Sequence, residues 1–314
     1  MKTIERLERW RDEGLITGAQ YDALSLLVLK RRFSVFLELN ALLYLGVISL
    51  VGGLAWTAGT YSERLGDSFI LIVLSGLFVL CLSYCFSRSH SYSATEVESP
   101  NLAFDYVLYA GCLIFSVELG YIENRFQLLQ SAWDNYLLFG AAVFFVLAYR
   151  FDNRLVLSLG LSSLAAWFGL RFSQFGLLTP DSIHVYALAY AAIVAGAGAW
   201  LWRIEIKKHF LETYLHVAAN VAFIALLTGV DWNGSGWLYL AGLLALSGAA
   251  GLMGVKFRRF AFVAYAVIYG YLGVSYQVIW ELRDLVLALM YLAITGIMVV
   301  IWMVRLARRL ARET

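Results

Sequence analysis

Apolar residues fill ten stretches of the chain, and charged residues collect in the short connections between them. A hydrocarbon core of about 30 Å takes roughly 20 residues of helix at 1.5 Å per residue. By this measure the pattern predicts transmembrane helices at about 39–59, 68–86, 102–121, 131–149, 154–172, 183–202, 211–229, 236–254, 259–279 and 285–304. The two prolines, Pro100 and Pro180, both fall outside these spans, so proline kinks are not expected. The longest connection, SRSHSYSATEVESPN at 87–101, is polar and Ser-rich and reads as a flexible loop.

Ahead of the first span the pattern is amphipathic. TIERLERWRDE at 3–13 places Ile4, Leu7 and Trp10 on one side of a short helix that Gly14 ends. Thr17 and Gln20 then have capping-box spacing, and Tyr21, Leu24, Leu27 and Val28 give a second helix its apolar face. Lys30, Arg31 and Arg32 follow, where the chain meets the membrane. Residues 1–38 therefore read as a helical hairpin, with two compatible roles. It lies on the inner leaflet against anionic lipid, or residues 1–33 dock a cytoplasmic protein. With no early apolar run leading to a small-residue cleavage site, a cleaved signal peptide is not expected.

Composition agrees with lipid as the solvent. The chain is 61% hydrophobic and 15% charged with a mean hydropathy of +0.72, where soluble domains carry about 45–50% apolar and about 25% charged residues. The net charge of +2 makes no case for nucleic acid, but its distribution is informative. With the N-terminus inside, 20 of the 24 Lys and Arg fall in cytoplasmic segments, and Arg64, Arg125, Arg171 and Arg283 alone fall outside. Only an even number of spans gives that alternation, and the positive-inside rule then puts both termini in the cytoplasm. The expected fold is an all-α polytopic bundle over 39–304, followed by a basic tail at 305–314. Trp56, Trp133, Trp232, Trp237 and Trp280 mark the outer interface, and Trp200, Trp202 and Trp302 the inner one.

Motifs for chemistry are sparse. Cys81, Cys85 and Cys112 lie in apolar segments and read as small packing residues, so no disulfide framework is indicated. No metal or other cofactor is expected, and no nucleophile elbow, phosphate loop or kinase signature occurs. The pairs Ala192/Gly196, Ser247/Gly251 and Ala250/Gly254 suit close helix approach. Spans 4–5 and 8–9 share a plan: a small-residue helix, a tight basic turn with Phe and Arg, and a second helix ending in aromatics and Gly. A parallel duplication and chance similarity both explain this.

Ionisable residues within spans are functional candidates because they are costly in lipid. Glu212, His216 and Asn220 recur at i, i+4 and i+8 of the seventh span, with Thr213 adjacent, and so share one face. They form either a polar pathway with His216 as the titrating group or a seam of interhelical hydrogen bonds. Glu118, Asp134 and His184 lie near outer helix ends, with Asp181 close by. They form either an outward vestibule, in which Glu118 and Asp134 face one another, or a set of wetted helix ends. Asp105 and Glu38 sit within reach of the cytoplasmic interface.

The opening pattern Leu7, Trp10, Gly14-Leu15-Ile16, Gln20 and Leu24, the glycine-rich span LYLGVISLVGG at 43–53 with Trp56, and LSLGLSSLAAWFG at 157–169 carry a resemblance. Together they resemble the bacterial predicted membrane proteins grouped as domain of unknown function 2157, over most of the chain. The resemblance implies a bacterial inner-membrane location and supplies no activity or site residue.

Three function classes follow. Ten spans and the polar stripe favour a transporter or channel for a small solute or ion, although no Gly/Pro-broken span pair marks a transport site. The N-terminal hairpin favours a non-enzymatic scaffold or sensor. A third class, an enzyme on lipid-linked substrates using His216 or the outer carboxylates, is the least supported, and the chain is expected not to be an enzyme. Membrane lipids are the expected partners, with a cytoplasmic protein as the additional one.

Overall fold

A hydrocarbon environment leaves the backbone no water to bond, so a spanning chain folds as helices or a closed barrel. The computed structural model takes the helical solution. It describes residues 2–29, 36–97, 99–174, 182–230 and 236–312, and every regular element among them is helical. In order these are α1 (Lys2–Asp12), α2 (Gly18–Leu29), α3 (Phe36–Thr60), α4 (Ser62–Leu65), α5 (Asp67–Arg88), α6 (Leu102–Phe126), α7 (Asn135–Phe151), α8 (Arg154–Gln174), α9 (Ile183–Arg203), α10 (Leu211–Gly229), α11 (Gly236–Lys256), α12 (Phe260–Leu282) and α13 (Leu285–Arg312). Single 3₁₀ turns at Gln130–Ala132 and Lys208–Phe210 precede α7 and α10. Lys30 to Arg32, Pro180, Asp181 and Trp232, which the sequence analysis used, lie outside the described residues, as does the Glu38 side chain.

Among the described residues nine helices are long and apolar enough to cross a membrane: α3, α5, α6 and α8 to α13. The fourth expected span, α7, is apolar but has 17 residues. It starts at Asn135 rather than 131 because the preceding residues wind as a 3₁₀ turn, with Gln130 at φ 46°. At the other end α13 runs unbroken to Arg312, so the basic tail continues the last helix through 305–312.

The chain divides into two units, Met1–Leu54 and Ala55–Thr314. In the first, α1 and α2 pack against each other as a hairpin, α1 amphipathic and α2 apolar without a distinct polar face. Gly14, at φ +72°, turns the chain between them, as a left-handed position requires. The capping box forms as spaced: Gln20 N donates to Thr17 Oγ1 at 3.3 Å and Thr17 N donates to Gln20 Oε1 at 2.9 Å. Leu7 is buried in the hairpin, and Tyr21 donates to Glu8 beneath the Arg11 guanidinium.

In the second unit α10 is central. Its span is 39% buried against 6% for α13, whose apolar side chains face outward as a lipid-facing helix requires. One packed cluster joins α5 to α10 around Phe104, Phe144, Leu157, Tyr190 and Tyr214, and a second joins α10, α11 and α12 around Phe223, Leu243 and Ala266. Cys85 and Cys112 are wholly buried in the first cluster as free thiols.

The small residues divide. A Cβ on Gly254 would stand 2.6 Å from Val263 and 2.8 Å from its backbone nitrogen, and one on Gly251 would meet Ala266 at 3.6 Å. These glycines bring α11 against α12. Ala192 and Gly196, by contrast, are exposed on α9, which corrects the expectation that they pack. The α9 contact is made two residues on, where Gly198 lies against Tyr214 of α10.

Candidate functional site

The polar stripe on α10 is real, and α12 closes it. Glu212, in the first turn, accepts from Arg259 Nη1 at 2.9 Å, with Arg154 Nη1 at 3.7 Å and His216 Nε2 at 3.7 Å. The carboxylate thereby ties the cytoplasm-predicted ends of α8, α10 and α12 together. One turn on, His216 stacks on Phe262 at 4.7 Å with an interplanar angle of 8°, and Tyr265 meets it edge-on at 5.6 Å. Asn220 donates to the His216 carbonyl at 2.8 Å and accepts from Tyr269 OH at 3.0 Å. Below it Phe223 stacks on Tyr269. Phe262, Tyr265 and Tyr269 recur on α12 at the same helical period, with Arg259 at its N-cap, so each stripe residue meets a partner on or at the start of that one helix. These contacts run along one interhelical seam, with Thr213 buried beside it.

The outer residues go to separate partners. Glu118 accepts from Ser75 Oγ on α5. Asp134 is fully buried at the start of α7, with Arg171 of α8 at 3.6 Å. His184 is buried on α9, beside Thr228 at 3.4 Å and edge-on to Tyr239 at 5.1 Å. Glu118 and Asp134 thus each have a partner on a different neighbouring helix.

A third constellation escaped the sequence reading. The 87–101 segment, expected to be a flexible loop, is bound to the bundle at several points. Asp152, the left-handed residue (φ 58°) between α7 and α8, is buried together with Lys207, itself at φ 48° between α9 and α10. The Lys207 ammonium stands 2.9 Å from Asp152 Oδ2, and His209 Nε2 bonds to Oδ1. The loop closes on this pair: Val97 N donates to Asp152 Oδ2 at 2.6 Å, Lys207 N to Ala94 O at 2.9 Å, and Lys207 Nζ to Thr95 O at 3.4 Å. Nearby, Arg150 donates to His90 O at 3.0 Å and to Ser89 Oγ at 3.2 Å, and Arg154 pairs with Glu96 at 2.7 Å. At the far end of the loop, Asp105 accepts from Ser99 and Asn153, both at 2.8 Å, and Asn101 caps α6 by accepting from Phe104 N.

Burial makes the centre of this clamp energetic. Lys207 and Asp152 side chains are 1% and 3% exposed, where removing one member of a pair costs about 3–5 kcal/mol because the other charge is left in low dielectric. Arg154 and Glu96 are each about half exposed, and such pairs are worth about 0–1 kcal/mol. The sequence signal that pointed here is a single acid, Asp152, in an otherwise basic turn. Left-handed backbone at two residues whose side chains pair with each other marks a position that the surrounding contacts over-determine.

Compared with known proteins, residues 8–157 match the model of the family described as Predicted membrane protein (DUF2157). The family resemblance read from the sequence is thus shown over α1 to the start of α8, a narrower stretch than the expected most of the chain. The matched part contains loop 89–101 and the α7–α8 turn, while Lys207, His209 and the α10 stripe lie beyond it. No curated protein and no solved structure matches the chain.

Proposed function

We propose that this DUF2157 protein is a non-enzymatic scaffold or sensor of the bacterial inner membrane, with both termini cytoplasmic and a hairpin that engages a cytoplasmic protein. The observation that carries the reading is the hairpin itself. It holds its own shape through Leu7 and the Thr17/Gln20 box, yet leaves Trp10, Leu15 and Leu24 exposed. Apolar side chains left exposed on a hairpin with a buried centre of its own offer a surface for a partner to cover. The charge ledger supports the orientation, since it puts 20 basic residues on the hairpin's side. The closed α10 seam also favours a bundle that anchors over one that conducts.

The test is a photo-crosslinking residue at position 10 or 15 of the full-length protein in living cells. The expected result is a protein adduct of discrete mass that disappears when Trp10, Leu15 and Leu24 are made Ser together, while membrane insertion persists. Adducts to lipid alone count against a protein partner.

Transport of a small solute or ion along Glu212, His216 and Asn220 is the second reading. One observation favours it: His216 Nδ1 is buried with no hydrogen-bond partner among the described residues, an atom that a water in a pathway would satisfy. Reconstituted into vesicles, the protein would then pass protons or solute at a rate that His216→Ala lowers at least tenfold. No flux above that of empty vesicles leaves the scaffold reading in place.

A further inference from the structure

Between loop 89–101 and the α7–α8 turn lies a cavity of about 20 Å³. His90, Ser91 and Ser93 line it from the loop side, and Arg150, Asp152 and Lys207 from the bundle side. Its volume is about that of one water or one phosphoryl oxygen.

The charges around it are unevenly committed. Asp152 spends both carboxylate oxygens inward, Oδ2 on Val97 N–H and Lys207, Oδ1 on His209. Lys207 is matched by that acid. Arg150 has no carboxylate partner among the described residues. Its guanidinium is held over the Phe86 and Phe151 rings at 5.7 and 5.2 Å and anchored by its bonds to His90 O and Ser89 Oγ. A held guanidinium with no carboxylate partner among the described residues is what recognition of a tetrahedral oxyanion needs. Two further donors stand beside it. The His90 ring and the Ser91 hydroxyl are exposed and bond to no described residue, so they are available at the mouth of the cavity.

We propose that this cavity binds a phosphate group. One oxygen occupies the cavity beside Arg150, and the others meet Ser91 and His90 at its mouth. The segment joins the last turn of α5 to the first of α6, which is headgroup level for helices that span a bilayer. The phosphate is therefore carried by an anionic phospholipid or by a free small molecule. The site stands independently of the scaffold reading.

The test uses purified full-length protein in maltoside detergent, which carries no phosphate, and follows its thermal unfolding. One arm adds inorganic phosphate against chloride at matched ionic strength, and the other adds phosphatidylglycerol to the micelles. A saturable rise in Tm with inorganic phosphate identifies a free phosphate as sufficient. A rise with phosphatidylglycerol alone identifies the lipid headgroup. Either supports the site only if it weakens at least tenfold in apparent affinity, or vanishes, in His90→Ala/Ser91→Ala and in Arg150→Gln. The double variant removes side chains that bond to no described residue, so it keeps the test valid if Arg150→Gln loosens the loop. No rise in either arm, or an equal rise in the double variant, overturns the proposal.

Discussion

At the scale of single residues, the clamp under loop 89–101 ranks its own members by burial. Asp152→Ala leaves Lys207 without its acid, at 1% exposure, and is expected to cost about 3–5 kcal/mol. Glu96→Ala removes an exposed pair and is expected to cost less than about 1 kcal/mol. Thermal unfolding of the two variants in the same detergent checks the order. Limited proteolysis locates the damage, because only Asp152→Ala frees the Val97 backbone bond and opens the loop to cutting. This pairing was not legible in the sequence. A ledger of basic residues counts which side each charge is on and is blind to which are neutralised, and Asp152 meets Lys207 only when two distant turns come together. The Thr17/Gln20 box was legible for the opposite reason: both bonds close within one turn, so spacing alone specifies them.

At the scale of elements, periodicity identified the face and tertiary packing decided what covers it. Glu212, His216 and Asn220 were bound to share one side of a helix, but nothing in that stretch tells whether the side meets water or a neighbour. The neighbour is α12, where Phe262, Tyr265 and Tyr269 repeat at matching spacing. Tyr269→Phe deletes the bond to Asn220 and is expected to cost about 0.6–2 kcal/mol with the fold unchanged, measured by unfolding in detergent. The α9–α10 contact makes a sharper contrast. A Cβ on Gly198 would lie 2.6 Å from Tyr214 Cβ, whereas one on Gly196 meets nothing within 4 Å. Gly198→Ala is expected to lower stability by about 1–3 kcal/mol, and Gly196→Ala to leave it unchanged or slightly raised in the same assay. The sequence offered the Ala192/Gly196 pair for this role because small-residue spacing shows which pairs allow contact, not which side of the helix receives it. The faint likeness of spans 4–5 and 8–9 does persist in backbone geometry. Asp152 and Arg258 are both left-handed, and the residue after each donates back across the helix end, Asn153 to Ala148 O and Arg259 to Gly254 O.

At the scale of the whole molecule, the fold class was the most legible property, because lipid solvation imposes both long apolar runs and helical backbone. Each of the ten expected spans corresponds to a helix, and the departures are at boundaries: α7 begins late behind its 3₁₀ turn, and α13 continues through the basic tail. The proposed placement, with the hairpin, loop 89–101 and the tail on the cytoplasmic side, requires α7 to cross despite its 17 residues. At 1.5 Å per residue it spans about 26 Å, within reach of the hydrocarbon core once the bilayer thins or the 3₁₀ turn is counted. An uncrossed α7 would put everything after it on the opposite side.

Labelling of single cysteines on intact cells with a membrane-impermeant thiol reagent tests this most directly. In a background with Cys81, Cys85 and Cys112 replaced by Ala, the probes are cysteines introduced at Ser93, at Leu128 between α6 and α7, and at the C-terminal Thr314. The account predicts that Leu128→Cys reacts from outside, while Ser93→Cys and Thr314→Cys react only after the membrane is permeabilised. Labelling of Thr314→Cys in intact cells alongside Leu128→Cys would show α7 uncrossed and contradict it, as would labelling of Ser93→Cys with Leu128→Cys protected.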